Sequence, residues 1–312
     1  MYPIAAGVIL TRLCNLHCKY CAIPERKATE LPVEDWLAAI DIIADLNIKK
    51  INFIGGEATL YKGVEEVVSY AMQKIEDCSL ITNGIKGYAV VKHLLSSGMK
   101  NISFSLDTLD IDKSISPIKA RAGIEFIKAL ESDNLLQNNN FTAYCVINKT
   151  NLKTIPALVE YLSEKHISTY FLPFHWNKNN EHEHRKDDYG LALQSNDELN
   201  NLLQKLSDMK KSGYLIKNSA AFFDAIKKYV DHLNWKCSYL SELRVDSDGK
   251  MMCCCDKQGD VHNKYTIFDL RDKKIFQQFL ADRQKDAYAC CGCLWPSSYE
   301  AEKSNKEREH VF

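Results

Sequence analysis

Six short apolar runs, separated by longer amphipathic stretches, organise the first 175 residues, and this alternation restricts the fold more than any other feature of the chain. The runs are Ala6–Thr11, Ile51–Ile54, Ser79–Thr82, Ile102–Leu106, Thr142–Ile147 and Thr169–Leu172, each of a length that suits a buried strand. Between them, Glu34–Leu46, Val64–Ile75, Tyr88–Ser97, Ile118–Leu130 and Leu152–Lys165 repeat apolar residues with the helical period. Turn signals mark the handovers, among them Asn83-Gly84 and Gly98 just past a helix. Strands alternating with helices pair in parallel through right-handed crossovers. Six units fall short of the eight that close a full barrel, so the predicted class is α/β, a partial (β/α)6 TIM-like barrel over residues 1–175. In such folds chemistry sits at the carboxyl ends of the strands.

From Phe174 the pattern changes. Residues 176–236 read as a helical insertion: a polar loop over His175–Gly190, then helices at Asn196–Ser212 and Ala220–Leu233. His175, His182 and His184 are irregularly spaced among charges, which suits a solvated loop better than a metal site. His175, Trp176 and Tyr189 follow the sixth strand and are candidates for a substrate mouth. Residues 237–296 form a small α+β module in this reading. It holds a hairpin (Leu243-Arg244-Val245, a turn at Ser247-Asp248-Gly249, then Met251-Met252-Cys253) and a helix over Asp272–Ala281. Residues 297–312 are a short terminal helix or frayed tail.

Twelve cysteines stand out against an otherwise ordinary composition. The apolar start lacks the basic flank and cleavage site of a signal peptide, and no run is long enough to span a bilayer. A cytoplasmic location is therefore expected, where thiols stay reduced and clustered cysteines bind metal. Three lie at 14–21, four at 237–255 and three at 290–293, leaving Cys78 and Cys145 alone. Lys and Arg total 40 against 41 for Asp and Glu, so no net field favours nucleic acid or a membrane as partner.

Cys14, Cys18 and Cys21 follow directly on the first strand with C-x3-C-x2-C spacing. A cubane iron–sulfur cluster takes one thiolate per iron, so three thiolates on one loop leave one iron open. Zinc or buried structural thiols are the alternatives that spacing alone leaves standing. With aromatic Tyr20 before the last cysteine, the motif resembles the signature of the radical S-adenosylmethionine (SAM) superfamily. That resemblance implies a 4Fe–4S cluster on Cys14, Cys18 and Cys21 whose open iron chelates SAM, with Tyr20 beside the adenine. Gly55-Gly56-Glu57 resembles the family's GGE motif, with Ala58 in place of the usual proline. Glu57 is then the partner of the SAM ammonium, and the glycines allow close backbone approach. The same resemblance places Asn83, Ser105, Asp107 and Ile147 at the strand ends that contact the rest of SAM. Turn capping and core packing are the competing roles for those four.

The second cysteine group resembles the SPASM and twitch modules of that superfamily. Eleven residues separate Cys237 from Gly249 and four separate Gly249 from Cys254, and Cys290 and Cys293 add a C-x2-C pair. No further cysteines follow, as in the shorter twitch form. Cys237, Cys254, Cys290 and Cys293 would fully ligate an auxiliary 4Fe–4S cluster; a four-cysteine zinc site uses the same ligand number. Cys253 and Cys255 leave the choice of ligand open by one residue. Cys253, Cys255 and Cys291 are either buried small side chains or thiols that donate a hydrogen atom to a substrate radical.

The resemblance implies an enzyme that cleaves SAM reductively to a 5′-deoxyadenosyl radical, which abstracts hydrogen from a C–H carbon. A peptide or an aminosugar- or aminocyclitol-like small molecule is the expected substrate, since the barrel begins at once and leaves no room for a leader-binding domain. Flavodoxin or ferredoxin is the expected reductant. Oxidation assisted by the auxiliary cluster is one outcome; redox-neutral epimerisation with a cysteine donor is another. A zinc-binding module for RNA or protein is the rival from another class, and balanced charge argues against it.

Overall fold

The computed structural model describes residues 2–18, 21, 29–175, 190–232, 235, 240–254, 257–290 and 292–309. Six βα units form in the order the apolar pattern dictates. The strands are β1 (Ala5–Thr11), β2 (Lys50–Gly55), β3 (Asp77–Thr82), β4 (Asn101–Ser105), β5 (Asn140–Ile147) and β6 (Ser168–Pro173). The intervening helices are α1 (Val33–Asp45), α2 (Val64–Lys74), α3 (Tyr88–Ser96), α4 (Pro117–Ser132) and α5 (Ile155–Glu164). Each neighbouring pair from β1 to β6 is parallel. Prolines in the first turns of α4 and α5 and left-handed Gly98 (φ 104°) after α3 set the helix limits where the chain signals them.

One face of every strand packs against the helices. Val8, Phe53, Leu80, Phe104, Phe141 and Phe171 meet Trp36, Ile43, Val67, Leu94, Phe126 and Leu158 in a single buried core. The opposite strand face carries Gly7, Asn52, Ser79 and Asn101, which share one level of the register. Burying helix-side residues while keeping small and polar groups inside leaves the strand ends available for chemistry.

Helices α6 (Asp197–Lys211) and α7 (Ala220–His232) follow β6. Asn196 caps α6 by accepting from the Leu199 amide at 3.0 Å, and acids lead and lysines end that helix, as its dipole favours. Strands β7 (Glu242–Val245) and β8 (Met251–Met252) make the expected hairpin, yet it does not stand apart. β7 pairs in parallel with β1, so the sheet runs β6-β5-β4-β3-β2-β1-β7-β8. The cysteine-rich segment therefore extends the barrel sheet on the edge beside the first cysteine loop.

Helix α8 (Lys273–Tyr288) runs well past the predicted end at Ala281. Arg283 and Asp286 are buried in it, which breaks the apolar pattern that sequence reading follows. Helix α9 (Pro296–Glu309) docks rather than frays at its start: Tyr299 packs edge-on against Phe222 and tilted against Trp235, and Glu300 accepts from the Ser219 amide at 2.7 Å. No helix among the described residues is long and apolar enough to cross a membrane.

Candidate active site at the strand ends

The loop carrying Cys14, Cys18 and Cys21 begins where β1 ends, and β2 holds it there. The amides of Gly56 and Glu57 donate to the carbonyls of Thr11 and Leu13, both at 2.8 Å. A Cβ at Gly55 would stand 2.5 Å from the Thr11 carbonyl oxygen, and one at Gly56 2.3 Å from that of Leu13. The two glycines thus serve first to let the strand end touch the cysteine loop, rather than to meet a ligand themselves. The Leu16 amide and the Asn83 side-chain amide both point at the Cys14 sulfur, at 3.4 and 3.7 Å.

The described cysteines are all thiols, with no disulfide among them. Burial raises the Cys18 thiol above the usual range; Lys119 pulls it down, while Cys21, Asp107 and Cys14 push it further up. A thiol at 18 whose ionisation its surroundings disfavour, beside amides aimed at the Cys14 sulfur, belongs to a donor set that a cationic iron core would satisfy. Tyr20 lies outside the described residues.

Glu57 is 1% exposed. Its Oε1 accepts from the Thr59 amide (3.2 Å), the Thr59 hydroxyl (2.6 Å) and the Thr82 hydroxyl (2.8 Å), and its Oε2 from the Asn83 amide (2.6 Å). Burial nevertheless pushes the carboxyl above its ordinary range, against the pull of those donors. No cation pairs with it among the described residues, so an ammonium group arriving at Glu57 would meet a buried carboxylate already oriented. Asn83 extends the same network to the loop through Asn15, at 2.7 Å.

The other strand ends are more varied. Ser105 ends β4 half-buried, opposite Tyr144 in the register. Asp107 is engaged internally: Oδ2 takes the Lys119 ammonium at 2.9 Å and Oδ1 the Val146 amide at 2.9 Å. Burial works against the Lys119 charge, but Asp107 and then Cys18 outweigh it and hold the ammonium above its usual range. Lys119 was not singled out from sequence, because it sits in the first turn of an amphipathic helix where a lysine is ordinarily solvated. Ile147 is fully buried in the main core, as the packing alternative for it requires; alternation leaves its neighbour Val146 half-buried on the other face.

The described members of the second cysteine set sit in a network of backbone contacts. Cys254 follows β8, and its amide donates to the Lys257 carbonyl at 3.0 Å. Its thiol is drawn below the usual cysteine range by a hydrogen bond from Cys253, then by the Lys257 backbone and the guanidinium groups of Arg283 and Arg244. Cys253 shifts the opposite way, raised by that same hydrogen bond and by burial. Cys253 is 1% exposed and directs its sulfur at the Arg283 carbonyl, which matches a buried small side chain. Gly292 (φ 83°) lies so close to Trp235 that a Cβ would fall 1.4 Å from its carbonyl oxygen. Gly292, which lies between Cys290 and Cys293 in sequence, is thereby pressed against chain two residues from Cys237, and its amide donates to the Cys290 sulfur at 3.3 Å. Cys237, Cys255 and Cys291 lie outside the described residues, as do Trp176, His182, His184 and Tyr189.

Two contacts that sequence reading missed tie this set to the barrel. His175, expected in a solvated loop, is 4% exposed: its Nε2 meets the Leu294 carbonyl at 2.9 Å and its ring touches Tyr229 and Trp295. Arg12, two residues before Cys14, makes a two-armed ion pair with Asp246, its Nε lying 2.7 Å from Oδ1. Among the described residues, Asp246, Asp248 and His262 also place three ligating atoms within 4.8 Å of one another. The guanidinium on Asp246 supplies the cation that this group needs.

Comparison with known proteins agrees with the geometry. The family model described as "Radical SAM superfamily" matches residues 8–162. A GTP 3′,8-cyclase of Helicobacter pylori is 27% identical over 283 residues, covering 86% of this chain and 85% of the relative. A PqqA peptide cyclase of Granulibacter bethesdensis is 29% identical over 164 residues, 51% of this chain and 43% of that protein. Among solved structures, SuiB of Streptococcus suis bound to SAM superposes with a TM-score of 0.63 at 16% identity, covering 89% of this chain and 67% of that one. Native anSMEcpe with bound AdoMet gives a TM-score of 0.63 at 17% identity over 91% of this chain and 83% of that one. These likenesses establish the shared partial barrel.

Proposed function

The chain belongs to the radical SAM superfamily, and from that premise we propose that it abstracts hydrogen from a C–H carbon of a peptide or an aminosugar- or aminocyclitol-like substrate, ending in oxidation. When bound, the SAM-chelating cluster supplies one-electron cleavage of SAM, and a second cluster supplies a sink for the electron left on the substrate. Cys14, Cys18 and Cys21 hold the first, with Tyr20 beside the adenine. Glu57 fixes the amino group of SAM; Gly55 and Gly56 bring its strand end onto the loop, and Asn83 and Ser105 line the remainder. Asp107 acts through the Lys119 ammonium that it anchors beside Cys18. Cys237, Cys254, Cys290 and Cys293 hold the second centre. Flavodoxin or ferredoxin serves as reductant.

One observation carries this reading: the second thiol set is built onto the sheet edge beside the first, through β7 and the Arg12–Asp246 pair. Epimerisation would need an accessible thiol, and Cys253, the described candidate, is buried. A second reading, in which the same start acts on GTP, has support from the H. pylori cyclase, because that match spans both chains nearly end to end.

Anaerobic incubation with SAM and reductant in deuterated water separates the readings. Peptides and aminocyclitols are supplied in one arm and GTP in the other, and products are weighed by mass spectrometry. A peptide or aminocyclitol product lighter by two hydrogens is expected. Solvent deuterium in a product of unchanged composition would indicate epimerisation instead, and turnover of GTP alone would overturn the substrate assignment.

A further inference from the structure

Among the described residues, Arg283 is a deeply buried cation that the proposed chemistry does not use. It lies on α8 at 2% exposure. Its Nε donates to the Cys253 carbonyl at 2.7 Å, Nη1 to the Leu240 carbonyl at 3.3 Å, and Nη2 to the Glu242 carbonyl. All three acceptors are backbone oxygens. The Glu242 carboxylate, whose charge acts on Arg283, is itself taken by Arg244 at 2.8 Å and Asn52 at 2.9 Å. A guanidinium that stays protonated and sits out of water, facing carbonyl dipoles rather than an acid, is costly unless an anion lies close.

The three carbonyls are not scattered. Leu240 is three residues beyond Cys237, Cys253 adjoins Cys254, and α8 itself leads from Arg283 to Cys290. Cys253 closes the contact by directing its sulfur back to the Arg283 carbonyl at 3.8 Å. One side chain thus touches the two stretches that bring Cys237 and Cys254 and rides on the helix that delivers the other pair. Four thiolates around an iron–sulfur core leave the centre net anionic, and both net charge and hydrogen bonding set such a centre's potential.

We propose that Arg283 is the positioning residue of the second centre: it gathers the ligand-bearing segments and provides the buried positive charge that offsets the cluster. This role rests on the two-centre reading above. Breaking the clamp should loosen ligation, and removing the charge should make the centre harder to reduce, leaving the SAM-binding cluster unaffected.

The test compares wild type, Arg283→Met and Arg283→Lys, purified anaerobically and reconstituted. Iron per chain is measured together with the midpoint of each cluster by electron paramagnetic resonance (EPR)-monitored redox titration. In Arg283→Met, either loss of at least half of the second centre's iron or a lowered midpoint for that centre is expected, with the SAM-responsive signal unchanged. Lys keeps the charge but cannot span three carbonyls, so Arg283→Lys should lose iron occupancy about twofold or more with a smaller midpoint shift than Met; it also carries the test if the Met variant does not accumulate. Full iron and unmoved midpoints in the variants would overturn the role. Wild-type protein holding zinc, or nothing, at the second set would remove the centre itself and this role with it, a result separable from the variant data.

Discussion

At the residue scale, Glu57 is the side chain whose environment speaks most directly to ligand binding: a buried carboxylate with four donors and no cation among the described residues. Glu57→Gln keeps the shape and removes the charge. Loss of one charge-assisted bond of about 1.5–3 kcal/mol predicts SAM binding weakened roughly 10- to 100-fold, with the helical content unchanged. Equilibrium dialysis against labelled SAM measures it, and an affinity equal to wild type would take Glu57 out of the site. Glu57 was legible from sequence because glycines before an acid at a strand end form a contiguous signal. Lys119, Arg283 and His175 were not, because a lysine in a helix, an arginine in a helix and a histidine after a strand are solvated in most folds. Only the tertiary partners Asp107, Cys253 and Leu294 show that these are buried.

At the scale of elements, the alternating pattern gave all six barrel strands to within two residues of their observed starts, because each buries one face against helices. What the pattern missed was the partner of the hairpin. Nothing in Leu243–Val245 distinguishes an isolated ribbon from a strand that adds to β1, since register is fixed by contacts distant in sequence. The Arg12–Asp246 pair makes that addition specific. Burial works against the Asp246 charge, but His262 and Arg12 more than offset it and hold the carboxyl well below the usual range. A carboxyl lower in the folded than in the unfolded chain contributes stability above the unfolded value of about 4, and that contribution is lost as pH falls toward the folded one. Asp246→Asn leaves Arg12 buried without its acid, at a cost of about 3–5 kcal/mol. In urea unfolding, the gap between wild type and Asp246→Asn should stay level from about pH 8 to 5 and narrow only below about 4. A gap that closed between neutrality and pH 5 would show that Asp246 does not carry the joint.

At the scale of the whole molecule, two thiol sets open on neighbouring parts of one sheet, the first at the end of β1 and the second beyond β7 and β8. The shared sheet explains how a chain of 312 residues supports both without a separate scaffold. Everything downstream depends on the proposed cluster site at the three cysteines that follow β1. The most direct measurement is EPR of anaerobically reconstituted, reduced protein, with SAM added in steps and 5′-deoxyadenosine assayed in parallel. A reducible 4Fe–4S signal that SAM shifts, lost together with 5′-deoxyadenosine formation in Cys18→Ala, is the predicted result. A site that shows no reducible cluster, or a signal that SAM leaves unchanged, would contradict the account.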